Sequence, residues 1–95
     1  MAAYVVFIRD RMKDPEAFAL YGPMARAARG DHQITPLAFY GDLETLEGEP
    51  AEGVVVLQFP TMEAAHAWYD SPAYQEAKAQ RMKGADYRVL LVNGV

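Results

Sequence analysis

Hydrophobic and polar positions alternate along this chain in a way that predicts four short strands. Three stretches are rich in β-branched and aromatic residues and are typical of strands, namely residues 4–9, 54–59 and 87–93. A fourth stretch, residues 34–40, has the same extended character but contains Pro36. Because proline cannot donate to a sheet ladder, this strand is expected to lie at an edge or to be irregular.

Two regions between the strands have the spacing of amphipathic helices. The first begins at Asp14, a preferred N-cap, followed by Pro15, and is expected to end near Gly30. Pro23 predicts a kink or a short break before Met24, since proline removes a helix hydrogen bond. At about 100° per residue, the apolar arc holds Ala17, Phe18, Leu20, Tyr21, Met24, Ala25 and Ala28, and the opposite arc holds Glu16, Ala19, Arg26 and Arg29.

The second helical region is predicted to be split into two helices. Thr61 caps the first, and Ser71 with Pro72 starts another helix that runs to about Lys83. The element order is therefore β-α-β-β-α-β with a split second helix, in a single domain over residues 1–95. This order predicts an α+β protein with the ferredoxin-like fold, in which helices cover one face of an antiparallel sheet. The apolar face of the helix that Thr61 caps consists of Met62, Ala65, Trp68 and Tyr69.

The predicted strands are apolar on both faces, whereas the helices can cover only one. In the first strand Val6 and Ile8 alternate with Val5 and Phe7, and residues 54–57 and 89–92 repeat this pattern. An apolar sheet face without helices needs another cover, so we expect a homodimer through the sheet faces. The hydrophobic share of 52% is high for 95 residues. Because 16 of those residues are alanine, the distribution of apolar residues rather than their total carries this prediction.

Composition excludes several classes of function. No cysteine is present, which excludes disulfides, a thiolate nucleophile and cysteine metal sites. His32 and His66 lack a metal-ligand spacing, so neither a metal nor another cofactor is expected. The net charge of −4 offers no basic footprint for nucleic acid. Neither a signal peptide nor a membrane-length apolar run is present, so a soluble cytoplasmic protein without a membrane partner is expected.

Arg81 is the first candidate for a ligand-binding residue. On its helix it shares one face with Tyr74 and Ala77, which turns the guanidinium inward. Because an unpaired buried charge is costly, this side chain needs a partner. It either anchors a carboxylate or enolate ligand, or it forms a structural ion pair with Asp86 or Asp70, or it extends outward to solvent.

Aromatic side chains and one histidine are the remaining candidates. Tyr21 lies near the centre of the apolar arc and could donate a hydrogen bond to a ligand oxygen, or it is a core tyrosine. Trp68 or Tyr69 could form the apolar wall of a pocket, although aromatics at helical spacing usually build a core, and Tyr74 is a further candidate ligand-binding residue. His32 follows the first helix and lies either at a pocket mouth or in a solvated turn.

One long motif resembles a known family. The stretch from Phe59 to Gln75, FPTMEAAHAWYDSPAYQ, closely resembles the signature of the bacterial domain of unknown function 1330 family. The resemblance extends to DPEAFALYGP, to LEG at residues 46–48 and to the closing RVLLVNG. It implies a dimeric α/β barrel, in which two ferredoxin-like sheets pack face to face. This superfamily also includes haem-degrading and cofactor-free monooxygenases and lactone isomerases, so the resemblance transfers fold better than reaction.

Three positions depart from the pattern of that family. Gln58 stands where relatives commonly carry a carboxylate, Asn93 replaces a glutamate and Tyr40 replaces an arginine. The lost carboxylates weaken the case for acid–base catalysis. The preferred hypothesis is small-molecule binding in a pocket between the sheet and helices of a homodimer. The alternative is a cofactor-free enzyme, monooxygenase- or isomerase-like, acting on a small, partly apolar anionic compound.

Overall fold

The computed structural model describes residues 1–95 and confirms the ferredoxin-like arrangement. Four strands form one antiparallel sheet in the order β2-β3-β1-β4, and the helices cover one of its faces. The split of the second helical region is also present. The elements are β1 (Ala3–Met12), α1 (Pro15–Ala28), β2 (Thr35–Phe39), β3 (Gly53–Phe59), α2 (Met62–Tyr69), α3 (Pro72–Gly84) and β4 (Ala85–Asn93).

Each helix begins at the capping residue that the sequence predicts. The Asp14 carboxylate accepts hydrogen bonds from the first-turn amides of α1, at 3.1 and 3.3 Å. The Thr61 hydroxyl accepts a hydrogen bond from the amide of Ala64, the third residue of α2, at 3.0 Å. The Ser71 hydroxyl likewise accepts one from the amide of Tyr74, the third residue of α3, at 3.3 Å. Such caps contribute about 1 kcal/mol each because they satisfy amides that have no partner inside the helix.

Helix α1 differs from expectation in two respects. The break expected before Met24 does not occur, because α1 continues through Pro23 and leaves only the Ala19 carbonyl without its helical donor. Leu20, expected to face inward, is 55% exposed. It lies at one end of the apolar arc, and α1 instead turns the other end, near Phe18, towards the interior. Residues Ala19, Arg26 and Arg29, assigned to the outer arc, therefore line a cavity described below.

The core lies between the sheet and the helices. Alternate residues of β1 and β3, including Val5, Phe7 and Phe59, are buried on the helix-facing side. They pack against Trp68 of α2 and Tyr74 of α3, whose rings lie 4.1 Å apart between centroids. Trp68 is 3% exposed and Tyr74 is fully buried, so the interpretation of Trp68 as a core residue is correct for its packing.

A glycine allows the close approach of α1 and α3. A Cβ atom added to Gly84 would lie 2.6 Å from the backbone nitrogen and Cα of Phe18. The Gly84 carbonyl also accepts hydrogen bonds from Lys13 and Asp14, at 2.8 and 2.9 Å, which fixes the start of α1 against the end of α3. No flexible side chain can move aside here, because the clashing atoms are the backbone nitrogen and Cα of Phe18 and the Cβ attached to them.

Gly84→Ala is therefore expected to lower the free energy of unfolding by about 1–3 kcal/mol through overpacking. Urea denaturation followed by circular dichroism would measure this change. Gly41→Ala is the matched control, because an added Cβ there meets nothing within 4 Å. Equal stability of the two variants would contradict the proposed backbone contact.

The second face of the sheet carries no helix and is called the open face here. Its residues come from β1, β3 and β4 and are mostly aliphatic, namely Tyr4, Val6, Ile8, Val54, Val56, Leu90 and Val92. Leu90 and Val92 are each 53% exposed. At one end, Arg88 donates two hydrogen bonds to the Asp10 carboxylate, at 2.9 and 3.0 Å. Arg88 thus lies on the open face, where it pairs with Ile8 across the sheet.

Candidate functional site

A cavity of about 510 Å³ lies between α1 and the helix-facing side of the sheet. We call it the helix–sheet cavity. Eleven of its 16 lining residues are hydrophobic, and its volume falls within the range of roughly 300–1,000 Å³ that is typical of ligand pockets. It is lined by Phe7, Phe18, Ala19, Tyr21, Gly22, Pro23, Ala25, Arg26, Arg29, Ile34, Pro36, Phe39, Tyr40, Val55, Leu57 and Trp68.

The lining of this cavity contains hydrogen-bond donors but no carboxylate or imidazole. Its polar groups are the phenols of Tyr21 and Tyr40, the guanidinium groups of Arg26 and Arg29 and the indole N–H of Trp68, all of which can donate hydrogen bonds. Neither a carboxylate nor an imidazole lines the cavity. The cavity therefore offers apolar contact and hydrogen-bond donors, but no side chain that acts as a base at neutral pH.

Two pairs of tyrosines lie beside the cavity. The Tyr21 and Tyr74 hydroxyls are 2.7 Å apart, and the Tyr40 hydroxyl is hydrogen-bonded to that of Tyr87. Within each pair one O–H is used in the shared bond, so the second remains available as a donor. Burial raises the pKa of Tyr21, Tyr74 and Tyr87 above the ordinary tyrosine value. These phenols therefore remain protonated donors at neutral pH.

Tyr40 has an unusual backbone conformation. Its φ angle of 52° lies in the left-handed region, where no other non-glycine residue of this chain is found. Its ring lies directly over Gly53, since a Cβ there would approach the Tyr40 Cδ1 atom to 2.7 Å. A bulky residue in this region costs of order 1–3 kcal/mol and is often retained at functional sites. The Tyr40 phenol lines the cavity wall despite this cost.

Arg9 adds a positive charge behind the same wall. Its guanidinium lies 5.2 Å from the Tyr40 ring centroid and 5.5 Å from that of Phe18. The Glu52 carboxylate is 3.3 Å from the Arg9 Nε, within ion-pair distance but without the geometry of a hydrogen bond. Arg9 thus has a counterion, and its charge is balanced within the protein.

Arg81 faces inward, as the helical spacing predicts, and has no counterion. The residue is only 4% exposed, and its Nε has no hydrogen-bond acceptor. The ring centroids of Tyr87, Phe7 and Tyr21 surround the guanidinium at 5.1, 5.7 and 5.8 Å. Such cation–π contacts contribute about 0.5–2 kcal/mol each, whereas the desolvation of an ion costs several kcal/mol. The three rings therefore stabilise the buried charge, but they leave its Nε without a hydrogen-bond acceptor.

The structural ion pairs considered for Arg81 are not formed. The Asp86 carboxylate binds the Arg11 guanidinium at 2.8 Å and the Lys13 ammonium at 3.2 Å, and these cations lower the pKa of Asp86. Asp70 lies 3.9 Å from the His66 imidazole, on an exposed surface. Neither carboxylate contacts Arg81, and the side chain does not extend to solvent.

A second cavity, of about 400 Å³, lies between α3 and β4 and is called the α3–β4 cavity. Arg81 lines this cavity and not the helix–sheet cavity, whereas the prediction from the sequence placed it in one pocket with Tyr21. Its guanidinium stands between the two, because the Tyr21 and Phe7 rings that it contacts line the other cavity. The α3–β4 cavity is lined by Lys13, Tyr69, Lys78, Arg81, Met82, Ala85, Asp86, Tyr87 and Val89.

Comparison with protein families identifies the chain. The family described as Domain of unknown function (DUF1330) matches residues 2–95. The chain belongs to the DUF1330 family. This membership confirms the resemblance that residues 59–75 carry.

Solved structures similar to this DUF1330 protein share its fold. A protein of unknown function from Rhodopseudomonas palustris is 20% identical with a TM-score of 0.75, over 99% of this chain and 82% of that chain. A dimeric ferredoxin-like protein of unknown function from Bacteroides fragilis is 9% identical with a TM-score of 0.64, over 98% and 96%. SnoaB, a cofactor-independent oxygenase from Streptomyces nogalater, is 10% identical with a TM-score of 0.66, over 99% and 93%. No curated protein matches the chain significantly.

The candidate residues predicted from the sequence of this DUF1330 protein lie in two different cavities or in neither. Tyr21 and Trp68 line the helix–sheet cavity, and Tyr69 lines the α3–β4 cavity with Arg81. Tyr74 is fully buried behind Tyr21 and reaches neither cavity. His32 lies in the turn after α1 and lines neither cavity.

The three positions that differ from the family pattern have different locations in this DUF1330 protein. Gln58 pairs with Tyr4 on the open face, so a carboxylate at this position would not enter either cavity. Asn93 lies at the end of β4, also outside both cavities. Tyr40, by contrast, lines the helix–sheet cavity. The two missing carboxylates therefore remove no acid or base from the cavities, and only Tyr40 changes their chemistry.

The structure brings together no group of three or more side chains that could hold a metal ion. None of the helices has the length and apolar character that crossing a bilayer requires.

Proposed function

We propose that this protein binds a small, largely apolar molecule that carries a negatively charged or hydrogen-bond-accepting oxygen. The site is the helix–sheet cavity. The observation that carries the proposal is its lining, which combines 11 hydrophobic residues with donors and no base. Apolar surface supplies affinity in such a cavity, and a few polar groups orient the ligand.

The lining residues form an apolar floor and a polar rim. Trp68 and Phe7 form the apolar floor, with their rings in edge contact at 6.2 Å. Tyr21 donates the free proton of its pair to the ligand oxygen, and Tyr74 holds it in place through the 2.7 Å contact. Arg26 and Arg29 lie on α1 at the exposed side of the cavity and balance a negative charge on the ligand.

We further propose that the functional unit is a homodimer in which two open faces pack together. The open face presents aliphatic side chains from three strands, and Leu90 and Val92 are half exposed in the single subunit. A structural neighbour from Bacteroides fragilis is described as dimeric, with the same fold. Packing two such faces removes their apolar surface from water, and the helix–sheet cavity of each subunit stays on the outside.

A cofactor-free oxygenase-type enzyme is the second candidate. The strained Tyr40 at the cavity wall and the fold shared with SnoaB favour it. Because no carboxylate or imidazole lines the cavity, such a reaction would need a substrate acidic enough to ionise without a protein base. This requirement makes binding the better-supported function.

Binding of anilinonaphthalene sulfonate, an apolar anionic dye, tests the proposed site. One dye is expected to bind per chain with increased fluorescence, and Ala25→Trp is expected to weaken binding by about tenfold or more by filling the cavity. Ala27→Trp is the matched control, because Ala27 is exposed on the same helix and does not line the cavity. Equal dye affinity in the two variants would place the site elsewhere.

Native mass spectrometry of the purified protein separates the two candidates. A small molecule that co-purifies with the wild-type protein and is lost in Ala25→Trp would identify the ligand. Incubation of that compound with the protein in oxygenated buffer then decides between them. An unchanged compound supports a binding protein, and its conversion supports the enzyme.

A further inference from the structure

We propose that the α3–β4 cavity is a second binding site, specific for a compact group with two negative charges, of which phosphate is the simplest example. Arg81 and Lys78 would hold this group. The site is separate from the helix–sheet cavity, so the inference goes beyond the function proposed above.

The first observation is the guanidinium of Arg81. It is 4% exposed, no carboxylate pairs with it and its Nε lacks an acceptor. An arginine presents several N–H donors in a planar fork that matches oxyanions, and aromatic rings cannot take the place of those acceptors. Because Arg81 lines the α3–β4 cavity, an anion there could reach a charge that the protein itself leaves unbalanced.

The second observation is the charge of the rest of the lining. Lys78 lies one turn before Arg81 on α3, and its ammonium stands 5.2 Å over the Tyr69 ring without an ion-pair partner. Two like charges at this helical spacing repel each other. The only carboxylate of the lining, Asp86, is already shared by Lys13 and Arg11.

Charge and size together define the ligand class. Lys78 and Arg81 leave two positive charges without a counterion, so a group with two negative charges balances them and a single carboxylate does not. The volume of about 400 Å³ accommodates a phosphate or a short dicarboxylate. The rings of Tyr69 and Tyr87 border the site and leave room for the rest of an organic phosphate.

Isothermal titration of inorganic phosphate into the protein, at neutral pH and constant ionic strength, tests this site. One phosphate is expected per chain, and acetate is expected to bind at least about tenfold more weakly. Lys78→Gln is expected to weaken phosphate binding by about tenfold or more, and Arg81→Gln to abolish it, because each removes a charge-assisted hydrogen bond. Lys83→Gln is the matched control, since Lys83 is exposed on the same helix outside the cavity.

Three results would overturn the proposal: no phosphate binding by the wild type, equal affinities in Lys78→Gln and Lys83→Gln, or acetate binding as tight as phosphate. If Arg81→Gln does not fold, Lys78→Gln decides the question, because Lys78 is not a core residue. Ala25→Trp must retain phosphate binding while it loses the dye. Loss of both ligands in that variant would contradict the separation of the two sites, whereas loss of the dye alone supports it.

Discussion

Leu90→Asp is expected to convert the protein from a dimer to a folded monomer, whereas Leu20→Asp leaves it dimeric. The two leucines are almost equally exposed in the single subunit, at 53% and 55%. They differ in location, because Leu90 lies on the open face beside Val6 and Leu20 lies on α1. The pair of variants therefore separates loss of the interface from a general effect of adding a surface charge.

The expected effect on association is large because a twofold interface contains each residue twice. Burying an ionised carboxylate without a partner costs several kcal/mol, and each 1.4 kcal/mol changes the dissociation constant by about tenfold. Two aspartates should therefore weaken the dimer by at least about a thousandfold. The monomer itself should remain folded, because position 90 is half exposed there.

Sedimentation velocity at micromolar concentration measures this change, with circular dichroism as the check on folding. The wild type and Leu20→Asp should sediment as dimers, and Leu90→Asp as a species of 10.6 kDa. A wild-type protein that sediments as a monomer, or a Leu90→Asp variant that remains a dimer, would contradict the packing of two open faces.

The fold could be predicted from the sequence because local rules specify most of its elements. Asp14, Thr61 and Ser71 cap helices through bonds to amides only a few residues away. The alternation of apolar residues in β1 and β3 likewise depends only on the period of a strand. Local signals of this kind do not depend on how distant parts of the chain meet.

The candidate site could be predicted only in part, for the same reason. The spacing of Tyr74, Ala77 and Arg81 on one helix correctly predicts that all three are buried. The division of the candidates between two cavities depends on how α1 and α3 pack, which the sequence pattern does not specify.

Two features of the site carry no local signal. The period of β1 places Arg9 on the same side as Val5 and Phe7, but its position beside the Tyr40 ring depends on how distant segments meet. The left-handed backbone of Tyr40 depends on the space above Gly53, thirteen positions further along the chain. Such features become visible only when distant segments are placed together.

Arg81→Met is expected to raise the free energy of unfolding by about 1–3 kcal/mol while it abolishes phosphate binding. Replacing buried charges with well-packed apolar side chains is often neutral or stabilising. Arg81 is a strong case, because it has no carboxylate partner and its Nε has no acceptor. Its contacts with the rings of Tyr87, Phe7 and Tyr21 are at the long end of the cation–π range, so their loss should offset only part of the gain. Methionine is flexible enough to fill the space of the arginine stem.

Urea denaturation at a fixed protein concentration, without phosphate, measures this gain as a higher midpoint at an unchanged slope. Lys83→Met is the control on the exposed surface of the same helix and should change stability little. Phosphate then offsets most or all of this difference, because a ligand that binds only the folded state stabilises it by about 2.7 kcal/mol at a hundred times its dissociation constant. Only the wild type should gain that stability. A large loss of stability in Arg81→Met would instead show that the guanidinium is part of the core. A gain in stability with loss of binding would mean that the protein retains a destabilising charge for the anion that it recognises.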